Sequence, residues 1–390
     1  MNQQPWFQDS IIYQVFLDRF AGFTTTQHWQ QPQFIGGTIN GVIDKLPYLK
    51  ELGITTLWIS PFYKTSAYHG YHITDFFKVD PHFGTLKDLQ LLITLAHKNK
   101  MHILADFVPN HCSNQHPFFK EAQEDSQSPY QEWFLFPDWP DEYQCFLRVK
   151  ELPKFNLQHP PARQHIVDAA KYWLQQGFDG YRLDHVIGPT HDFWEYFVTN
   201  IKQEFPHVVL IGEAWMMGIS WEELRTIHVK GKRWKWFRQS AASDSLLKAY
   251  VDQLDGVLDF RFQELIKQHI AYNTYSKAMF NRLLKNHYNK FPDHYFLPSF
   301  LDNHDMDRFL FSCGNIKEKL KQAATIQFDQ PQPPIIYYGT ESGIPQQQSL
   351  WSQSSNGDIH ARQPMNWDSL DTHLVGFYQQ LIKKRQQKIG

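Results

Sequence analysis

The chain has 390 residues, enough for one large α/β barrel with an insertion or for two or three ordinary domains. It carries 38 Lys and Arg against 40 Asp and Glu, a formal net charge of -2, so charge gives no reason to expect nucleic acid, an anionic membrane or a polyanionic substrate. No apolar run reaches the ~20 residues of a membrane span, and the N-terminus lacks the basic and apolar regions of a secretory signal.

Short segments rich in Ile, Val, Phe and Tyr alternate with longer segments of helical periodicity, an order typical of repeated β-α units and a parallel sheet. Eight such short segments with interleaved helices predict an α/β fold, a (β/α)8 TIM barrel, rather than an open doubly wound sheet. The predicted strands are 11–16, 54–59, 102–107, 180–183, 208–211, 257–260, 297–301 and 334–338. Helices are predicted at 42–52, 86–98, 162–175, 193–201 and 372–387.

The segment 112–158 is rich in Pro, aromatic and acidic residues and has no clear period. Because structureless loops of this length are uncommon in compact domains, we predict a small inserted subdomain after the third strand, above the barrel mouth. The predicted domains are 1–111 and 159–390 for the catalytic barrel and 112–158 for the inserted subdomain. No C-terminal β-sandwich is evident, since the last predicted helix ends close to the final residue.

The cysteines are Cys112, Cys145 and Cys313, too few and too odd in number for a disulfide framework. Such usage favours a reducing compartment, so we expect a cytoplasmic protein. A disulfide between Cys112 and Cys145 is the less favoured alternative.

Polar residues follow four of the predicted strands, at the end where a barrel of this kind has its active site. A single Asp or Glu at a strand end is more often a helix cap or a loop anchor, but carboxylates at four strand ends of one barrel are hard to explain in that way. These residues are Asp106 and His111 at the third strand, Arg182 and Asp184 at the fourth, Glu213 after the fifth, and His304 and Asp305 after the seventh.

This set of side chains suits the cleavage of a glycosidic bond, which needs a carboxylic acid to protonate the leaving oxygen and a carboxylate to attack the anomeric carbon. Glu213 follows an apolar strand and lies near Trp215, so burial is expected to raise its pKa and keep it protonated. Arg182 shares a strand face with Asp184 and is expected to keep that carboxylate ionised. A purely structural Arg–Asp pair is the alternative when this motif is taken alone.

Four segments in this order resemble the signature regions of the α-amylase superfamily, the retaining α-glucan enzymes of glycoside hydrolase family 13. A fifth segment, 152–156, is similar to the Met-Pro-Lys-Leu-Asn signature of neopullulanases and cyclomaltodextrinases, with two apolar substitutions. The resemblance therefore favours small or cyclic maltodextrins as substrates. The four signature-like segments are 106–111, 177–184, 212–215 and 300–305.

The resemblance implies a role for each of three carboxylates: Asp184 as the nucleophile, Glu213 as the general acid/base, and Asp305 as the carboxylate that binds sugar hydroxyls and stabilises the transition state. It also implies that Asp106 is a structural partner of Arg182. The substrate-binding residues that it implies are His69, Tyr71, His111, Arg182, His304 and Arg308.

The function expected from this resemblance is that of a retaining hydrolase, cleaving α-1,4-glucosidic bonds of maltooligosaccharides, starch fragments or cyclodextrins through a covalent glycosyl-enzyme intermediate. A transglycosylase would use the same catalytic residues and pass the glucosyl unit to a sugar. A non-catalytic glucan-binding barrel is a third reading, which the intact Asp184, Glu213 and Asp305 disfavour. The sequence leaves endo or exo action and the oligomeric state open.

No cofactor is predicted. Asn110 matches a calcium ligand of α-amylases, but the Lys-His pair that accompanies it in those enzymes is absent from 185–188, so no calcium ion is assigned. The basic and aromatic run at 230–238 is interpreted as a solvated loop, with an acceptor-side sugar platform and a nucleic-acid surface as less favoured alternatives.

Overall fold

The computed structural model describes residues 5–23, 26–215, 239–352 and 357–389, and the structural statements that follow concern these residues. The basic and aromatic run at 230–238, which was interpreted as a solvated loop, lies outside the described residues. The strands are β1 (Ile12–Val15), β2 (Thr56–Ile59), β3 (Tyr63–Thr65), β4 (Ile73–Val79), β5 (His102–Phe107), β6 (Gly180–Leu183), β7 (Val209–Gly212), β8 (Gly256–Val257), β9 (Ser299–Phe300) and β10 (Pro334–Tyr337).

Eight of these strands form one parallel sheet in the order β8-β7-β6-β5-β2-β1-β10-β9. The outermost strands of this order approach each other where Gly256 pairs in parallel with Phe296, just before β9, and Val257 N donates to Phe296 O at 3.0 Å. This arrangement is consistent with a (β/α)8 barrel. Seven of the eight predicted strands are confirmed in position, although β9 is shorter than predicted. The strand predicted at 257–260 is mostly wrong, because β8 is Gly256–Val257 and Asp259 caps a helix that begins at Phe260.

Helices connect the strands, and several begin where the sequence provides a capping side chain. Thr38, Thr85, Thr190 and Ser276 each accept a hydrogen bond from a backbone N–H of the first helical turn. The helices are α1 (Pro5–Gln8), α2 (Leu17–Phe20), α3 (Ile39–Leu52), α4 (Leu86–Lys98), α5 (Pro117–Glu124), α6 (Pro160–Gln175), α7 (His191–Glu204), α8 (Gln239–Lys248), α9 (Phe260–Ile266), α10 (Lys277–Tyr288), α11 (Phe309–Ser312), α12 (Lys317–Phe328) and α13 (Thr372–Ile389).

The antiparallel hairpin of β3 and β4 was not among the predicted elements. β4 reads poorly as a strand because polar Asp75 and Lys78 interrupt its apolar residues and its burial does not alternate regularly. The loop between the two strands contains His69 and Tyr71, so the hairpin carries two of the predicted substrate-binding residues.

The segment 112–158 contains α5 and two short 3₁₀ turns, Gln131–Trp133 and Phe146–Arg148. Single antiparallel bridges join Phe134 with Phe155 and Cys145 with Pro153 inside the segment, and Cys112 N donates to Pro153 O at 3.1 Å, which holds the two ends together. It is therefore not a structureless loop. Cys112, Cys145 and Cys313 are all free, so the alternative of a Cys112–Cys145 disulfide is wrong.

Two apolar layers stabilise the fold. One lies between the strands and the helices around them, and the other fills the interior of the sheet, where Ile12, Trp58 and Leu258 are almost completely buried. At the N-terminal end of the strands, Trp6 of α1 stacks on His102 with 3.9 Å between ring centroids, and Phe7 is fully buried. No helix of the described ranges is long and apolar enough to cross a membrane.

Candidate active site

Arg182, on β6, is buried at the centre of the site and contacts three carboxyl groups. Its Nη1 donates to Asp106 Oδ1 and to Asp184 Oδ1, each at 2.8 Å, and its Nη2 lies 2.7 Å from Glu213 Oε1. The strands explain this convergence, because β5, β6 and β7 are neighbours in the sheet and Asp106 is the register partner of Arg182. The structure thus brings together the predicted nucleophile and the predicted acid.

Asp106 is fully buried and is surrounded by hydrogen-bond donors. Besides Arg182, its Oδ2 accepts from Trp58 Nε1 at 3.0 Å and from the Tyr71 hydroxyl at 2.9 Å. The Trp58 ring also lies beneath the guanidinium of Arg182, with 5.2 Å between the Arg182 Cζ and the ring centroid. These contacts orient Arg182, as the structural role implied for Asp106 requires.

Glu213 follows β7 and is held at both oxygens. Oε1 contacts Arg182, and Oε2 accepts a hydrogen bond from the backbone N–H of His185 at 3.1 Å. Burial raises the pKa of Glu213 although Arg182 acts to lower it. The direction expected from the sequence is confirmed. Trp215, two residues further on, stacks on Phe260 with 5.0 Å between centroids and an interplanar angle of 11°.

Asp184 behaves differently from the expectation. Burial raises its pKa well above the ordinary value, Arg182 lowers it, and the nearby Glu213, Asp106 and Asp305 raise it further. The direction of this shift is opposite to the one expected from Arg182, because one guanidinium is divided among three carboxyl groups. Asp106, Asp184 and Glu213 therefore titrate as a coupled set.

Asp305 has a separate set of partners. Burial acts to raise its pKa, but His304 and Arg362 lower it below the ordinary value: His304 Nε2 is 3.0 Å from Oδ2, and Arg362 Nη2 donates to Oδ1 at 2.9 Å. The Asp305 side chain is 28% exposed, against 9% for both Asp184 and Glu213. It is thus the ionised and most accessible carboxylate of the three.

Tyr71 and His304 link the two groups of carboxylates. The Tyr71 hydroxyl lies 2.6 Å from His304 Nε2, and the two rings stack with an interplanar angle of 3°. Gln14 Nε2 lies 2.8 Å from the other ring nitrogen of His304. A continuous set of polar contacts therefore runs from Asp106 through Tyr71 and His304 to Asp305.

Two further predicted histidines lie at the edge of this set. His69 Nδ1 accepts a hydrogen bond from the backbone N–H of Tyr71 at 3.2 Å, so it supports the loop that carries Tyr71. His111 packs on Phe146, and burial lowers its pKa, which keeps the ring neutral. Among the described residues, His111 Nε2 is buried and has no hydrogen-bond partner, so substrate binding by His111 stays a prediction.

The structure does not bring Arg308 to the carboxylates. Its Nη1 donates to Tyr338 O at 2.8 Å, and its guanidinium lies over the rings of Tyr337 and Tyr338. The side chain is almost completely buried. Substrate binding by Arg308 stays a prediction that these contacts do not support.

Arg362 is a site residue that the sequence did not reveal. Its Nη2 bonds Asp305 and also Asp358, at 2.8 Å, while Nε donates to His304 O and Nη1 to the Tyr68 hydroxyl. Arg362 follows a short 3₁₀ segment, Gly357–Ala361, rather than a strand. A search for polar residues at strand ends therefore could not find it.

Residues 14–383 match the family model described as alpha amylase, catalytic domain. The chain belongs to the α-amylase family. Among curated relatives of this α-amylase family chain, Alpha-amylase 2 from Dictyoglomus thermophilum is 35% identical over 386 residues, which cover 98% of this chain and 64% of that protein. Neopullulanase 2 from Thermoactinomyces vulgaris is 30% identical over 406 residues, covering 98% and 63%. The chain thus spans a little less than two thirds of the length of these relatives.

Solved structures show the same fold. A cyclomaltodextrinase superposes with a TM-score of 0.85 at 28% identity, covering 99% of this chain and 64% of that one. The α-amylase from Geobacillus thermoleovorans, complexed with acarbose, superposes with a TM-score of 0.77 at 30% identity, covering 98% and 79%. Asp184, Glu213 and Asp305 all lie within the residues matched by the α-amylase family model.

Asn110, which resembles a calcium ligand of α-amylases, lies close to the ammonium group of a lysine. Lys154 Nζ lies 3.4 Å from Gly188 O, and a Cβ added at Gly188 would come within 2.2 Å of Asn110 Oδ1. A lysine ammonium at this place repels a divalent cation. Within the described ranges, no cluster of three His, Cys, Asp or Glu side chains could hold a metal ion.

Proposed function

We propose that this protein is a retaining α-glucan hydrolase, which cleaves α-1,4-glucosidic bonds of maltooligosaccharides, starch fragments or cyclodextrins through a covalent glycosyl-enzyme intermediate. The observation that carries the proposal is the contact of one buried guanidinium with two carboxyl groups. Arg182 lies 2.8 Å from Asp184 and 2.7 Å from Glu213, which brings an attacking carboxylate and a proton donor into one site. The names of the relatives, α-amylase, neopullulanase and cyclomaltodextrinase, agree with this substrate class.

In the reactive form of the coupled carboxyl groups, the proton is on Glu213 and Asp184 is ionised. In the first step, Glu213 donates its proton to the glycosidic oxygen while a carboxylate oxygen of Asp184 bonds to the anomeric carbon. The C–O bond to the leaving sugar breaks, and that sugar departs with the proton. The negative charge therefore disappears from Asp184, which becomes an ester, and reappears on Glu213. Because both groups contact Arg182, the guanidinium keeps an anionic partner throughout the step.

In the second step, Glu213 accepts a proton from water, and the water oxygen bonds to the anomeric carbon as the ester bond to Asp184 breaks. The two displacements together retain the anomeric configuration. The charge returns to Asp184 and the proton to Glu213, which restores the starting state of the cluster.

Asp305 supports both steps without forming a bond to the sugar. Its carboxylate is ionised and partly exposed between His304 and Arg362, so it can accept hydrogen bonds from sugar hydroxyls. Hydrogen bonds of this kind strengthen as positive charge develops on the sugar ring, which stabilises the oxocarbenium-like transition state.

The proposal is tested by incubating the protein with starch, maltotriose, a cyclodextrin, pullulan, panose and sucrose, and identifying the products and their anomeric form. We expect shorter α-1,4 glucans that are released first as the α-anomer, and no turnover by Asp184→Asn. Longer or relinked oligosaccharides as the main products would instead show a transglycosylase. Equally poor turnover by the wild type and Asp184→Asn would show a non-catalytic binding barrel.

We also propose that 112–158 forms a small subdomain inserted into a barrel made of 1–111 and 159–390. The bridges of Phe134 with Phe155 and of Cys145 with Pro153 support it, because they close the segment upon itself. Limited proteolysis should cut first at the two junctions of this segment. Cleavage spread evenly through the segment would contradict the proposal.

We propose a cytoplasmic location as well. Three free cysteines, two of them buried, support a reducing compartment. Fractionation of the producing cells tests this, and recovery of the protein outside the cell would contradict it.

A further inference from the structure

His287, on α10, is a buried titratable residue that the proposed mechanism does not use. Its Nδ1 is 2.7 Å from Asp244 Oδ1, on α8, and its Nε2 is 3.0 Å from Asp259 Oδ1, just after β8. A neutral imidazole has only one N–H, so a ring with a carboxylate at each nitrogen favours the doubly protonated form, in which Nδ1 bonds Asp244 and the positive charge faces Asp259. The side chain is 1% exposed, so water does not replace either contact.

The groups around His287 balance its charge. Lys290 also contacts Asp244, so two cations face two carboxylates. The rings of Tyr288 and Phe291 pack at 5.0 and 5.2 Å from the imidazole. From α13, Arg385 acts electrostatically on Tyr288. Burial lowers the pKa of His287, but Asp259 and Asp244 raise it to about 9.

The contact with Asp259 leads directly to the active site. Asp259 caps α9 by accepting a hydrogen bond from the backbone N–H of Phe262 at 2.8 Å. The next residue, Phe260, stacks on Trp215, which lies two residues after Glu213. The side chain of Asp259 therefore fixes the turn from which Phe260 reaches the end of β7.

We propose that His287 in its doubly protonated form is a positioning residue, which acts through Asp259 to hold the Phe260–Trp215 stack and thereby the orientation of Glu213. This inference rests on the proposed function, since it assigns His287 an effect on the two steps in which Glu213 donates or accepts a proton. When His287 loses a proton, one of its nitrogens can no longer donate, and the buried carboxylate that faces it loses its partner. The stack should then shift relative to Glu213.

The test measures kcat against pH for an aryl α-maltoside with a good leaving group. Such a leaving group departs without the proton of Glu213, so the second step limits kcat, and in that step Glu213 acts as a base. The rate therefore depends on the orientation of Glu213, whereas deprotonation of Glu213 does not cause an alkaline limb. We expect the wild type to lose activity with a midpoint near pH 9. His287→Gln keeps one donor but cannot titrate, so its kcat should be roughly tenfold lower at neutral pH and show no limb near that pH.

Asp244→Asn is the second variant, and it keeps the test valid if His287→Gln does not fold. Because it removes one of the two anions that hold the proton on His287, the alkaline midpoint should move to lower pH. The matched control is His97→Gln, which removes a contact of 2.8 Å between His97 and Asp179. This contact lies at the N-terminal end of the strands, away from the active site. The control should leave both kcat and the midpoint unchanged.

Two results would overturn the inference: a His287→Gln enzyme with the same kcat and the same alkaline limb as the wild type, or an unchanged midpoint in Asp244→Asn. A wild type that is inactive on every glucan at neutral pH would instead overturn the proposed function. Wild-type activity at neutral pH together with either of the first two results would leave the proposed function standing and remove only the role of His287.

Discussion

Arg182 shows how far a pair of residues can be predicted from their spacing. Its contact with Asp184 follows from two positions on one strand face, and the structure confirms it at 2.8 Å. Its contacts with Asp106 and Glu213 depend on the register of β5 and β7 against β6, which the sequence does not state. The same limit explains why the direction of the pKa shift of Asp184 was predicted wrongly. The number of carboxylates that share one cation depends on how the strands are assembled in the sheet.

The role of Glu213 as proton donor predicts a dependence on the leaving group. Glu213→Gln should lower kcat/KM for maltotriose by about 10²–10⁴-fold, because general acid catalysis typically contributes that much. For an aryl α-maltoside with a good leaving group, the loss in this first step should be far smaller. Steady-state rates on both substrates give the comparison, and an equal loss on the two would contradict the assignment.

Arg362 offers a second prediction at this scale. Arg362→Ala removes the cation bonded to Asp305, and since that cation lowers the pKa of Asp305, the pKa should rise. The carboxylate of Asp305 also loses the partner that fixes its orientation, so kcat/KM for maltotriose should fall roughly tenfold at neutral pH. Lys317→Ala, which removes an exposed ion pair with Asp371, is the control. An Arg362→Ala enzyme with unchanged kcat/KM would argue against the role of Arg362.

At the scale of elements, prediction succeeded where a segment is regular and failed where it is not. α4 has the bounds that its apolar spacing predicts, and its capping box at Thr85 fixes the start. The β3–β4 hairpin was missed because its strands are held by pairing with each other rather than by an alternating apolar face. Arg362 was missed for a related reason, since it lies after a 3₁₀ segment without a period of its own.

The contact of α8 and α10 through His287 should make stability depend on pH. The pKa of His287 is about 9 in the folded protein and near its ordinary value of 6.5 in the unfolded chain. Protonated His287 therefore contributes on the order of 3 kcal/mol to the free energy of unfolding. This contribution is fully present below about pH 6.5 and is lost as the pH rises through about 9. Urea unfolding over this range should show that the free energies of unfolding of the wild type and His287→Gln become more similar as the pH rises. A constant difference would contradict the linkage.

At the scale of the whole molecule, the number and order of the strands in the parallel sheet could be predicted from the sequence, because eight apolar segments alternate with helices. The pairing of Gly256 with Phe296, which brings the outermost strands together, could not be predicted. Both strands, β8 and β9, are only two residues long, and this pair lies partly outside them. Gly256 is required because there is no room for a side chain, and not because of its backbone conformation. A Cβ on Gly256 would lie 2.2 Å from Phe296 O.

Gly256→Ala should therefore strain the closure and lower the free energy of unfolding by about 1–3 kcal/mol, the usual cost of overpacking. The control is Gly376→Ala on α13, where a Cβ meets nothing within 4 Å. Since alanine favours a helix over glycine, the control should raise the free energy of unfolding by roughly 0.5–1 kcal/mol. Denaturant unfolding measures both variants, and an unharmed Gly256→Ala would show that the two strands are not held at this pair.

The short helix α1 bears on how molecules reach and leave the site. Trp6 and Phe7 cover the N-terminal end of the strands, and buried apolar side chains fill the space between them and Arg182. The substrate, the departing sugar and the water of the second step must therefore all use the opposite opening, where Asp305 is exposed. In the proposed mechanism, water reaches the ester on Asp184 as the departing sugar leaves through this opening. The residence time of that sugar should then decide whether the glycosyl group is transferred to water or to a sugar.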